Sequence, residues 1–300
     1  MKYTLIKSYV LAFILSLLVF NSCKIKKEVT SITQPNKEVV LTKLWETDTL
    51  LKTCEAVRYD QNNKIIYVSN MGNVPTDAKD GDGSMSIINS EGKIITQNWV
   101  TGLNAPKGSN FYKSKLYVAD IDAIVKIDMK SGNVDKTIVV DNAIFLNDLD
   151  IDTNGDVYVT DSRDSKVYKI VNDKASVWLD LEGLNPNGIF VEKDRVLVVS
   201  FSKGDFIAID KKTKAQTLIA TGIIKGDGIV PINDGYLVSS WPGEVFFVNK
   251  NKPGASAIKL LDTQDEKLNA ADICIIPEEN MLLIPTFYGN TVVAYKIDYK

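Results

Sequence analysis

No histidine occurs anywhere in the 300 residues. That absence removes a Ser-His-Asp triad, histidine-based zinc sites and any histidine general base, so chemistry here must run on oxygen ligands, carboxylates, lysine or water. An excess of one charge is also lacking. The 35 basic and 38 acidic residues leave a formal net charge of −3, and the basic ones gather on no single stretch of the body. Nucleic acid, which is bound through clustered cations, is therefore not an expected partner. Sustained helical periodicity is missing as well. Strand formers bounded by Asn, Asp, Gly and Lys recur every ten residues or so, which makes the body all-β.

Long apolar runs are confined to one place. Tyr9 to Phe20 follows Lys2 and Lys7 and ends in "LVFNSCKIKK", too short and too closely followed by lysines for a membrane-spanning helix. Residues 1–22 read as an export signal whose end resembles the cleavage site of bacterial lipoproteins, with Cys23 as the acylated first residue. Acyl chains, at about 0.8 kcal/mol per buried methylene, would then hold the protein on a membrane without a spanning helix. The expected location is the cell envelope, lipid-anchored, on the periplasmic or cell-surface side. Residues 23–39 are polar and without apolar period, as in a flexible tether, and residues 40–300 form the folded body, expected as a monomer.

That body repeats itself. "NNKIIYVSN", "KSKLYVAD", "NGDVYVTD", "KDRVLVVS", "NDGYLVSS" and "ENMLLIPT" are six turn-and-strand units. Each is preceded by a short strand with a polar opening: "CEAVRYD", "PKGSNFY", "LNDLDID", "PNGIFVE", "GDGIVPI" and "AADICII". The openings fall at Glu55, Lys107, Asn147, Asn187, Asp227 and Ala271, in steps of 52, 40, 40, 40 and 44 residues, and a period near 40 marks units unable to bury their faces alone. Four strands fit each unit, so the expected fold is a six-bladed β-propeller. The last repeat stops after its third strand, and "VVLTKLWETDTLL" at residues 39–51 fits its missing outer strand, which closes the ring by pairing the chain ends.

In a propeller the first strand of every blade lines the central channel. Glu55, Asn147, Asn187 and Asp227 are therefore expected to converge at one mouth. Two carboxylates and two amide carbonyls form a hard oxygen cluster suited to calcium, with magnesium and manganese, and more distantly zinc, as alternatives. Without a cation, Glu55 and Asp227 would repel each other, and one carboxyl would hold its proton. Asn-Gly and Asp-Gly are also common turn signals, so Asn187-Gly188 and Asp227-Gly228 can alternatively be read as bends before a strand.

With these residues in order at blade spacing, the chain over roughly 40–298 resembles the senescence marker protein, regucalcin and gluconolactonase family. The resemblance implies one divalent cation at the channel mouth, bound by Glu55, Asn187 and Asp227. It implies Asp227 as general base of lactone hydrolysis and Asn147 as a catalytic residue that contacts substrate or the water on the cation. The family's arginine two positions before Asn147 is Phe145 here, and its Glu-Gly-Pro strand is "EAVRYD".

Four further features stay open in the sequence. Lys107 either binds a carboxylate-bearing ligand or pairs with Glu55 or Asp120, and Asp272, one position late in the sixth unit, is a further candidate for ligand contact. The stretch "NMGNVPTDAKDGDGS" at 70–84 is either a mouth-covering loop or a solvated hairpin. Cys54 and Cys274 fall on the first and last repeats, and either form a disulfide or remain buried thiols. The expected activity is that of a metal-dependent hydrolase of a lactone or related ester acting on a small molecule. The alternative is a membrane-anchored propeller without catalysis that binds a small molecule or a protein partner.

Overall fold

The computed structural model describes residues 38–300, and the expectations for the export signal and for Cys23 lie outside them. Six sheets, antiparallel but for one short parallel pair, form the blades of a β-propeller. Their inner strands are Cys54–Asp60, Pro106–Tyr112, Leu146–Ile151, Pro186–Val191, Gly226–Ile232 and Cys274–Ile276. The third blade is representative, with Leu146–Ile151, Val157–Asp161, Lys166–Val171 and Lys174–Asp180 paired in sequence order. In the sixth blade the outer place is taken by Val39–Glu46, which pairs antiparallel with Val292–Tyr299 from Val39↔Tyr299 to Glu46↔Val293. Among the described residues no helix is long and apolar enough to cross a membrane.

Apolar clusters lie between neighbouring blades, and this explains why the second strands read as near-continuous apolar runs. In "RVLVVS", Val196 and Val198 pack towards the third blade with Tyr158 and Val167. Leu197 and Val199 pack towards the fifth with Tyr236 and Val238. Each second strand is thus buried on both faces, and each side chain serves one of two interfaces. At about 25 cal/mol per Å² of apolar surface, this repeated inter-blade burial is the main favourable term in the fold.

Two local features depart from a regular array. The segment "NKNKPGAS" links two blades. Ala255–Ser256 pairs in parallel with Gln216–Thr221 of the fourth, before Ile258–Asp262 returns as the fifth blade's outer strand. Cys54 and Cys274 remain free and buried. The Cys54 thiol donates to Thr291 O at 3.1 Å, and burial pushes its pKa up to about 12.

Candidate functional site

Every polar opening residue of the first five blades sits where the ladder between first and second strand slips. The register breaks lie between Cys54 and Ala56, Pro106 and Ser109, Leu146 and Leu149, Pro186 and Ile189, and Gly226 and Ile229. A bulge leaves residues unpaired and re-aims their side chains. Here it turns Glu55, Lys107, Asn147, Asn187 and Asp227 into one pocket of about 470 Å³. The glycines that follow three of them are not in turns. A Cβ on Gly188 would stand 1.5 Å from Asp227 O, one on Gly228 2.4 Å from Ile273 N, and one on Gly108 2.4 Å from Asp148 Oδ1. Glycine is needed because each inner strand packs backbone to backbone against the next. The bulges are pinned from the second strands: Ser69, Thr160 and Ser239 donate their hydroxyls to Lys107 O at 2.7 Å, Asn187 O at 2.6 Å and Ala271 O at 2.7 Å.

The pocket's buried acceptors are short of donors. Glu55 Oε2, Asn147 Oδ1, Asn187 Oδ1 and Asp227 Oδ1, from four different blades, are buried and accept no hydrogen bond among the described residues. Unpaired buried oxygens are uncommon and expensive, and four lining one pocket match a cation that supplies what protein donors do not. Among the described residues no three His, Cys, Asp or Glu side chains stand grouped for a metal, so a cation here would have two carboxylates and the amide oxygens beside them to draw on. That donor set fits a hard divalent ion.

The acids pay an electrostatic penalty in the absence of such an ion. Burial raises the Asp227 pKa well above the carboxylate range, with repulsion from Asp272 and Asp148 adding to it. Burial does the same to Glu55, reinforced by Asp227 and Asp148 and opposed by Lys107. Asp272 does not line the pocket. It lies deeper in the channel, where its carboxylate is 3.5 Å from Arg58 and burial pushes its pKa up to about 7. Beside it Asp148 accepts Ile189 N at 2.9 Å, and burial raises its pKa as well. The channel below the pocket is thus a mixed layer of acids around one guanidinium, also bonded to Ser109 O at 2.6 Å.

Lys107 is 1% exposed, and burial pushes its ammonium down to about 8 despite the attraction of Glu55 and Asp120. Among the described residues it forms an ion pair with neither. Its Nζ donates to Ala105 O at 3.0 Å, while Asp120 is taken up by the backbone N–H groups of Asn104 and Ala105. Asn147 donates through Nδ2 to Ser162 Oγ at 3.2 Å, which fixes its amide with the oxygen left free. The 70–84 loop lies at the mouth. Thr76 lines the pocket, Asp77 pairs with Arg163 of the third blade at 2.6 Å, and Lys79 pairs with Asp122 of the second at 2.5 Å.

Several lining residues have no counterpart in the sequence reading. Arg163, in the turn "SRDS", brings a guanidinium to the pocket, and Met71, Phe201, Trp241, Phe287 and Tyr288 supply apolar surface. Arg163 was legible only as a turn residue. The aromatics belong to connections between strands, where no periodicity marks them.

No family model and no curated protein matches the sequence. Among solved structures, the fold is similar to a catalytically inactive variant of virginiamycin B lyase from Staphylococcus aureus crystallised with quinupristin. That likeness has a TM-score of 0.59 at 11% identity and covers 86% of this chain and 99% of that one. It is also similar to a chain of a nidogen/laminin complex, with a TM-score of 0.56 at 13% identity over 67% of this chain and 77% of that one. At these identities the likeness is one of fold.

Proposed function

We propose that the protein is a metal-dependent hydrolase of a lactone or related ester, with Glu55, Asn187 and Asp227 holding one divalent cation, calcium by preference. The observation that carries this reading is the set of four unpartnered buried oxygens, from four blades, in a single pocket. The resemblance to the gluconolactonase family, resting on the same residues, supplies the reaction class. A divalent cation bound there would polarise the substrate carbonyl and offset developing negative charge.

The chain's own residues divide the remaining work. Asp227, with Oδ1 free, receives the proton of the attacking water. Asn147, held by Ser162, orients the substrate, and the 70–84 loop limits access of bulk water. Lys107, buried and short of acceptors, faces the ligand as a positive charge. Asp272 acts from below, through its charge on Asp227, without touching the ligand.

A second reading is favoured by one specific observation. Phe145 stands where the family has its sugar-gripping arginine, and the pocket is walled by aromatics, which suits a binding protein that performs no chemistry. The test is metal analysis by mass spectrometry on protein lacking residues 1–23, with Glu55→Gln and Asp227→Asn alongside and a lactone panel on the same samples. One divalent ion lost in both variants, together with cation-dependent turnover lost in Asp227→Asn, supports the hydrolase. A bound ion without turnover moves the assignment to a binding propeller.

A further inference from the structure

Phe145 carries two cations on one ring. Lys107 Nζ lies 4.3 Å and Arg163 Cζ 4.2 Å from its centroid. Among the described residues only one of the three Lys107 ammonium donors has an acceptor, Ala105 O. A buried ammonium left two donors short is costly, and the ring face offsets only part of that cost. Arg163 gives one N–H to Asp77, in a half-exposed ion pair of small net worth, and among the described residues the rest of its fork is free for a planar anion.

The arrangement is built rather than accidental. The fully buried Asp161 accepts backbone N–H groups from Ile144 at 2.6 Å, Phe145 at 3.2 Å and Arg163 at 3.1 Å. One carboxylate thus fixes the ring and the backbone of one of the two cations against it. The same pocket has an aromatic wall in which Trp241, Phe287 and Tyr288 meet edge to face, with centroids 4.8–6.0 Å apart.

We propose that this pocket takes an amphiphilic acid, its carboxylate received between Lys107 and Arg163 at the Phe145 ring and its apolar ring or chain laid against Trp241, Phe287 and Tyr288. Glu55 and Asp227 repel a carboxylate, so the acid is held on the Phe145 side and the rest of the molecule extends from there. As a statement about substrate, a lactone or ester bearing a free carboxyl group, this rests on the hydrolase reading. As a statement about binding it does not.

The test is calorimetric titration of protein lacking residues 1–23 with phenylacetate and with its neutral counterpart phenylacetamide, in the presence and absence of calcium. Phenylacetate is expected to bind about tenfold or more tightly than the amide, and Arg163→Gln and Lys107→Met each to weaken it by about tenfold, as befits a charge-assisted contact. Metal content is expected to stay unchanged in Arg163→Gln, whose half-exposed side chain can be replaced without disturbing the core. Equal binding of acid and amide, or no binding of either, overturns the proposal. So does phenylacetate binding that needs calcium and ignores both substitutions, since the carboxylate would then be ligating the cation. Acid-selective binding that depends on Arg163 in a protein with no bound metal and no turnover upholds the clamp and defeats the hydrolase.

Discussion

Gly188 lies so close to Asp227 that a methyl group on it would stand 1.5 Å from the Asp227 carbonyl oxygen. The contact ties the inner strands of the fourth and fifth blades together at the two residues proposed to share the cation, Asn187 and Asp227. Gly188→Ala must therefore push these strands apart. Overpacking of this kind costs about 1–3 kcal/mol, and the account predicts a lowered melting temperature together with weakened cation binding. A variant with native stability and native affinity would show that the spacing of the two bulges is unimportant.

The hydroxyl bridges between blades give a second prediction. Thr160→Val keeps the shape of the side chain but removes the donor to Asn187 O, leaving a buried carbonyl short of its partner at a cost of about 1–3 kcal/mol. Chemical denaturation should show the loss, with Ser176→Ala, at an exposed hydroxyl on an outer strand, as the comparison that changes little.

Stability without cation should fall as pH rises. Asp272 titrates near 7 in the folded protein against an ordinary 3.8, and burial raises Glu55, Asp148 and Asp227 in the same direction. The folded state thus binds more protons than the unfolded chain in this window. The stabilisation is fully present below the unfolded value and is lost as pH rises through about 7. EDTA-treated protein is predicted to melt at a higher temperature near pH 5 than near pH 8, with a shallower slope in Asp272→Asn. A melting temperature that climbs over this range would contradict the burial of these acids without a counter-ion.

The free thiols are checked by labelling. Both cysteines are buried, and the Cys54 thiol is held near 12, so a thiolate-specific reagent at neutral pH should leave the native protein lacking residues 1–23 unlabelled and modify two thiols after denaturation. Failure to find two thiols in the denatured, unreduced protein would mean a disulfide.

The propeller was legible in the sequence because its second strands share one pattern, "IIYVSN" to "MLLIPT", and because a polar residue opens each first strand. The convergence of Glu55, Asn147, Asn187 and Asp227 followed from that register. The bulges that turn these side chains into the pocket were not legible, since Asn187-Gly188 and Asp227-Gly228 carry the same letters whether they form a turn or a strand packed tightly on its neighbour. Asp272 was placed one position late but not at its true depth, which depends on the short sixth inner strand and its contact with Glu55 O. Arg163 was invisible because a turn residue gains its role only from the ring it lies on, and Phe145, read as the loss of an arginine, is that ring.

Glu55, Asn187 and Asp227, three of the four residues with unpaired pocket oxygens, are proposed to hold a cation, and the metal content of protein lacking residues 1–23, wild type against Glu55→Gln and Asp227→Asn, tests this most directly. One divalent ion per chain is expected, with a melting temperature lowered by its removal, and loss of both the ion and that dependence in each variant. A wild-type protein that binds no divalent ion, and melts at the same temperature with calcium as with EDTA, would contradict it.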